Sequence, residues 1–103
     1  MTGETSQRLD KWLWCARFFK TRGQSSEAIN GGKVHVGNQR VKPARQVKVG
    51  DKVTVRNGVV EWDITVDAIA KRRGPAPEAQ ALYTESEASV ERRAAERETR
   101  RLT

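Results

Sequence analysis

Sulfur and imidazole are nearly missing from this chain, which has one cysteine, Cys15, and one histidine, His35, among 103 residues. A lone cysteine excludes an intrachain disulfide. One Cys and one His cannot build a structural zinc site, which needs three or four clustered ligands. Cys15 lies in a helical segment with no histidine partner in view to activate it as a nucleophile. His35 alternates with valines, the setting of a surface or ligand-facing side chain far more often than of a general base. Gly31-Gly32 lacks the spacing of a phosphate-binding loop. The expectation is a chain that is not an enzyme and that uses no metal and no cofactor. Long hydrophobic runs are missing as well, and none approaches the ~18 residues of a membrane-spanning helix. Met1 to Gln7 is polar and has no apolar stretch of the kind found in signal peptides. A cytoplasmic, reducing setting without membrane contact is expected.

Apolar material is scarce: 36% of residues are hydrophobic, with a mean hydropathy of −0.77. The length supports one domain of roughly 60 to 90 packed residues. Positive charge is plentiful, with 20 Lys and Arg against 13 Asp and Glu, for a net charge of +7 and a pI near 10.2. It is also unevenly placed. Between Arg8 and Arg56 twelve basic residues face three acidic ones, whereas from Asn57 onward eight face nine. The first half therefore holds the whole excess, and such asymmetry points to a polyanionic partner, because neutralising phosphates releases counterions. A solvated basic surface is the plainer reading of the same charges.

Leu9, Trp12, Leu13 and Ala16 recur at helical spacing and predict a short amphipathic helix over Arg8 to Ala16, with Arg8, Lys11 and Cys15 off its apolar stripe. Trp14 points elsewhere, either to stack on a base or to pack against the C-terminal segment. Thr21 with Gln24 forms a candidate capping box for a second helix, whose buried face is Ala28 and Ile29 and which Gly31-Gly32 stops. From Lys33 the period becomes two. Val34 and Val36 lead into the Gly37-Asn38 turn and the strand Gln39-Arg40-Val41. Val53 and Val55 lead to Asn57-Gly58, a hairpin signal, and to the return strand Val60, Trp62, Ile64, Val66 and Ala68. Lys71 to Pro77 is a basic, proline-containing connector. Glu78 to Thr103, rich in Ala, Glu and Arg, favours helix, either docked by Leu82, Tyr83 and Val90 or partly frayed, with the pair Glu96 and Arg100 helping a little.

Four stretches then agree together with one pattern. Arg8-Leu9-Asp10-Lys11-Trp12-Leu13, Ala16-Arg17-Phe18-Phe19-Lys20-Thr21-Arg22, Ala28-Ile29-Asn30-Gly31-Gly32-Lys33-Val34-His35-Val36 and Val49-Gly50-Asp51 resemble the S4-like RNA-binding domain family over about Arg8 to Arg56. The Lys-Trp-Leu-Trp run and the later Arg-Gly-Pro-Ala-Pro-Glu-Ala segment are similar to its ribosome-associated, heat-stress-linked branch. The resemblance implies an α+β fold, with two short helices packed on a small twisted antiparallel sheet and a C-terminal helical extension. It divides the chain into a flexible 1–7, an S4-like domain over 8–70, and a connector with helical extension over 71–103. It implies a non-catalytic protein that binds RNA of the large ribosomal subunit, with stalled peptidyl-tRNA, in ribosome rescue and heat stress. DNA is a further possible partner, and a monomer is expected. Carried over position by position, the RNA-contacting candidates are Arg8, Lys11, Arg17, Lys20, Thr21, Arg22, Ser25, Lys33, His35 and Lys42. Two other readings stand: a general RNA- and DNA-binding protein, from the charge alone, and the RNA-binding accessory of an RNA-modifying enzyme, which the resemblance also allows.

Overall fold

A computed structural model of the chain describes residues 6–58 and 60–102. The elements run β1 (Ser6–Arg8), α1 (Leu9–Cys15), α2 (Arg22–Asn30), β2 (Val34–Val36), β3 (Gln39–Arg40), β4 (Gln46–Lys48), β5 (Lys52–Asn57), β6 (Val60–Val66), α3 (Ala76–Gln80), β7 (Tyr83–Glu85) and α4 (Glu87–Leu102). Five strands form an antiparallel sheet in the order β3-β2-β5-β6-β7, and β1 pairs with β4 in a separate ribbon. The expected α+β class and C-terminal helix are both present.

The stripe read from the period of α1 is the centre of the core. Leu9, Trp12, Leu13 and Ala16 are all buried, against Ile29 of α2 and the inward valines Val34, Val36, Val53, Val55 and Val66 of the sheet. The first N–H groups of α1 would be orphaned, but Leu9 N–H donates to the Arg45 carbonyl and Asp10 N–H to the Pro43 carbonyl. Cys15, placed off the stripe by periodicity, is buried too. It shares a small hollow with Ile69, Ala70 and Gly74 of the connector, which a helical period cannot register.

Both helices end in the same way. At the end of α2, Lys33 N–H donates to the Ala28 carbonyl and Gly32 N–H to the Ile29 carbonyl, with Gly32 at φ +78°. This is the Schellman arrangement, in which glycine takes the left-handed position without strain. At the end of α1, Phe18 N–H donates to the Leu13 carbonyl and Arg17 N–H to the Trp14 carbonyl, and the left-handed residue is Arg17, at φ +67°. A side chain there costs on the order of 1 kcal/mol relative to glycine. Thr21 Oγ1 accepts from Gln24 N–H at 3.0 Å, the hydroxyl half of the expected capping box. Gly37 and Asn38 both have positive φ, 59° and 64°, as a two-residue primed turn requires. In the second hairpin Asn57 pairs with Val60, so Asn57 closes its strand and Gly58 begins the turn, one residue later than Asn57-Gly58 suggested.

The two ends of the chain depart from expectation. Ser6 and Gln7 belong to β1, and the Gln7 amide, buried, bridges the chain by donating to the Ala70 carbonyl and accepting from Ala70 N–H. Ordered structure thus begins at least two residues before Arg8. Glu78 onward is not one helix, because Tyr83 opens an edge strand against β6. Tyr83 joins an aromatic cluster, its ring 4.9 Å from Phe18, which also meets Trp62 at 5.4 Å. Val90 does not dock α4, being 46% exposed. Arginines do so instead. Arg93 donates through two nitrogens to Glu85 and lies 3.8 Å from the centroid of Trp62, while Arg92 pairs with Asp63 at 3.1 Å and Glu61 at 3.6 Å. The Arg100 side of the expected Glu96 pair lies outside the described side chains.

Candidate nucleic-acid interface

The turn from α1 to α2, the start of β2 and the β5–β6 hairpin wall a concavity of about 680 Å³. Five cations line it, Arg17, Lys20, Lys33, Arg56 and Arg73, of which Arg56 is paired with Glu61 at 3.0 Å; Glu27 is the one acid in the lining and Phe19 an aromatic wall. Such an excess of one sign in a concavity focuses positive potential. Three of the ten predicted residues, Arg17, Lys20 and Lys33, meet there.

A second cluster forms round Asp10, whose side chain is only 3% exposed. Its carboxylate accepts from Arg8 Nε and a terminal Arg8 nitrogen, from Lys11 N–H, and from Ser26 Oγ, with Arg22 at 3.6 Å. Burial by itself would push this carboxyl up, but the hydrogen bonds from Arg8, Ser26 and Lys11 outweigh it and hold Asp10 below the usual carboxylate range. Glu85 is held low in the same way: burial opposes, and the bonds from Arg93 and Ser89 prevail. Carboxylates depressed in the folded state stabilise it above the unfolded values, roughly 3.9 to 4.3, and that stabilisation disappears as pH falls through the folded values. Urea midpoints are therefore expected to be flat above about pH 5 and to drop below about pH 4. Asp10→Asn is expected to flatten part of that drop, and an unaltered acid limb in this variant would contradict the assignment.

The other predicted residues are placed as follows. Thr21 is exposed but caps α2. Ser25 is 0% exposed, its hydroxyl has no partner among the described residues, and its side chain does not reach the surface. His35 sits half-buried between Arg40 and Thr54 on the sheet face opposite Val34 and Val36, and does not line the concavity. Lys42 is exposed in the loop before β4, beside the Pro43 carbonyl that caps α1. Arg56 and Arg73 were not singled out as contacts. Their one signal was membership of basic stretches, since nothing local says that residues so far apart converge. Trp14 takes the connector as its neighbour, with the Arg73 guanidinium 5.6 Å from its ring centroid. Burial pushes the Cys15 thiol up, against the pull of Lys11, Arg22 and Arg73, which argues against nucleophilic chemistry. Among the described residues, no group of three or more His, Cys, Asp or Glu stands ready to hold a metal, and no helix is long and apolar enough to cross a membrane.

Comparison with known proteins places these features in a lineage. The S4 domain model matches residues 7–53. The chain is 47% identical to the heat shock protein 15 homolog of Aeromonas salmonicida over 95% of its own length and 74% of that relative. It is 32% identical to the RQC P-site tRNA stabilizing factor of Bacillus subtilis, over 75% of this chain and 88% of that protein. Its fold superposes on the trimeric structure of Vibrio cholerae heat shock protein 15 with a TM-score of 0.90 and 44% identity, covering 95% of this chain and 99% of that one. The chain belongs to the heat shock protein 15 family of S4-domain proteins.

Proposed function

We propose that this chain is a non-catalytic RNA-binding factor of the cytoplasm that binds ribosomal RNA of the large subunit. Its target is a subunit still carrying peptidyl-tRNA, and its role is in ribosome rescue or recycling under heat stress. The observation that carries this reading is the concavity, where five cations face one acid between the α1–α2 turn and the β5–β6 hairpin. Lys and Arg there neutralise phosphates, while the half-buried ring of Phe19 offers a surface on which an unstacked base can lie. The name of the Bacillus subtilis relative, a factor stabilising a P-site tRNA, supports the peptidyl-tRNA part. One copy contains the whole concavity, so the reading requires only a monomer, although the Vibrio cholerae relative is described as trimeric.

Co-sedimentation with separated ribosomal subunits at near-physiological salt tests this. The expected result is migration with the large subunit, increased when peptidyl-tRNA is bound. Equal, salt-labile association with both subunits and with plain DNA would mean that only a basic surface is at work.

A further inference from the structure

The seam between the end of α1 and the connector is closed by two arginines that cross it in opposite directions. Arg17 Nε donates to the Gly74 carbonyl at 3.0 Å, and Arg73 Nε donates to the Trp14 carbonyl at 3.0 Å. Gly74 is buried in this seam, and the Trp14 ring supports the Arg73 guanidinium. A guanidinium has five N–H donors. Each of these bonds uses only the inner one, and among the described residues neither side chain has another hydrogen bond or an ion pair. Both line the concavity. Two guanidinium forks are thus anchored at their stems and left with their terminal amino groups unused.

Anchoring matters because ordering two long side chains opposes binding, and here that ordering accompanies folding. Planar forks match the paired oxygens of a phosphodiester better than an ammonium does. The backbone adds an independent sign. Arg17 is kept in the left-handed position of a Schellman turn where glycine would relax the chain, and strain of this kind gathers at working sites. The volume is that of a small-ligand site, about 300 to 1,000 Å³, which suits one or two nucleotides and not a duplex. Phe19 contributes an aromatic wall.

We propose that Arg17 and Arg73 form a paired phosphate clamp for an unpaired stretch of RNA whose base stacks on Phe19. The connector is then part of the binding site and not only a link to α4. Arg73 lies beyond the residues matched by the S4 domain, 7–53, so the site extends past that domain. This inference rests on the RNA-binding reading above.

The test is filter binding of the full chain, over a salt series, to an RNA hairpin with a small bulge and to its fully paired counterpart. Arg73→Met keeps an unbranched side chain beside Trp14 and removes the guanidinium, and with it the bond to the Trp14 carbonyl. It is expected to weaken binding of the bulged RNA about tenfold, as loss of a charge-assisted contact should. The salt slope should fall by about 0.7 to 0.9, the value for one phosphate contact. Binding of the paired RNA should stay nearly constant. Arg73→Lys keeps the charge and carries the test if the methionine variant fails to fold; it should retain the slope yet lose affinity for the bulged RNA alone. Unchanged affinity for bulged RNA, or equal losses on both RNAs, overturns the clamp. A wild-type chain that binds neither RNA overturns the RNA-binding reading itself, which is a different result.

Discussion

Trp12→Ala is expected to bring the domain close to unfolding at room temperature. Trp12 is fully buried at the centre of the core, stacks with Phe18 at 6.4 Å between ring centroids, and donates its indole N–H to the Ala68 carbonyl at 2.9 Å. Truncating a buried aromatic of this size costs about 3 to 5 kcal/mol, while a domain of this length has roughly 5 to 15 kcal/mol of stability in all, and this one, poor in apolar residues, is expected at the lower end. The Ala68 carbonyl also loses its donor where the strand β6 has ended and no ladder bond replaces it. Urea unfolding followed by circular dichroism measures the loss. Trp12→Phe gives an intermediate point, because it keeps a buried aromatic ring while removing the N–H and part of the indole's volume. A loss below about 1 kcal/mol for the alanine variant would place the centre of the core elsewhere.

The second large effect concerns binding. Arg17→Gly, Lys20→Ala and Lys33→Ala combined are expected to lower RNA affinity on the order of a hundredfold or more, from about 1 kcal/mol or more per charge-assisted contact. The salt slope should fall by about 2 to 3, near 0.7 to 0.9 for each phosphate released. Glycine is the right replacement at position 17, since its backbone sits at φ +67° and alanine there would add strain unrelated to RNA. The control removes three cations that do not line the concavity, Lys48, Lys52 and Arg97. An equal loss in the control would show that bulk charge, and not the concavity, drives association.

How much of this was legible depended on the range over which each feature is determined. The stripe of α1, the stop at Gly31-Gly32 and the Gly37-Asn38 turn are local: a helical period, a left-handed glycine and a primed turn each need only neighbouring residues. Arg17 shows the limit of that reasoning. An arginine carries no left-handed signal, yet the turn after α1 puts it in the glycine position, because Phe18 must return into the core beside Leu13. The C-terminal segment shows it again. Its composition favours helix throughout, but pairing with β6 draws Tyr83 to Glu85 into a strand, and tertiary contacts override propensity of this size.

The candidate site divides along the same line. Arg17, Lys20 and Lys33 were visible as charge within a recognisable pattern. Ser25 was lost to burial, since helix position alone did not tell which polar face of α2 meets the core. His35 was turned to the other face of the sheet by the strand alternation that buries Val34 and Val36.

By itself the sequence determined the class of this protein: a small, basic α+β domain without an intrachain disulfide, with its positive charge in the first half and most of its helices and hairpins in order. Only the tertiary structure decided that Arg56 and Arg73 join Arg17 round one concavity, that Gln7 ties β1 to Ala70, and that arginines and not Val90 fasten α4. Charge and periodicity are properties of neighbouring residues, whereas a binding surface is made by segments that meet only when the core between them is buried, and the direction in which each then faces is set by that packing.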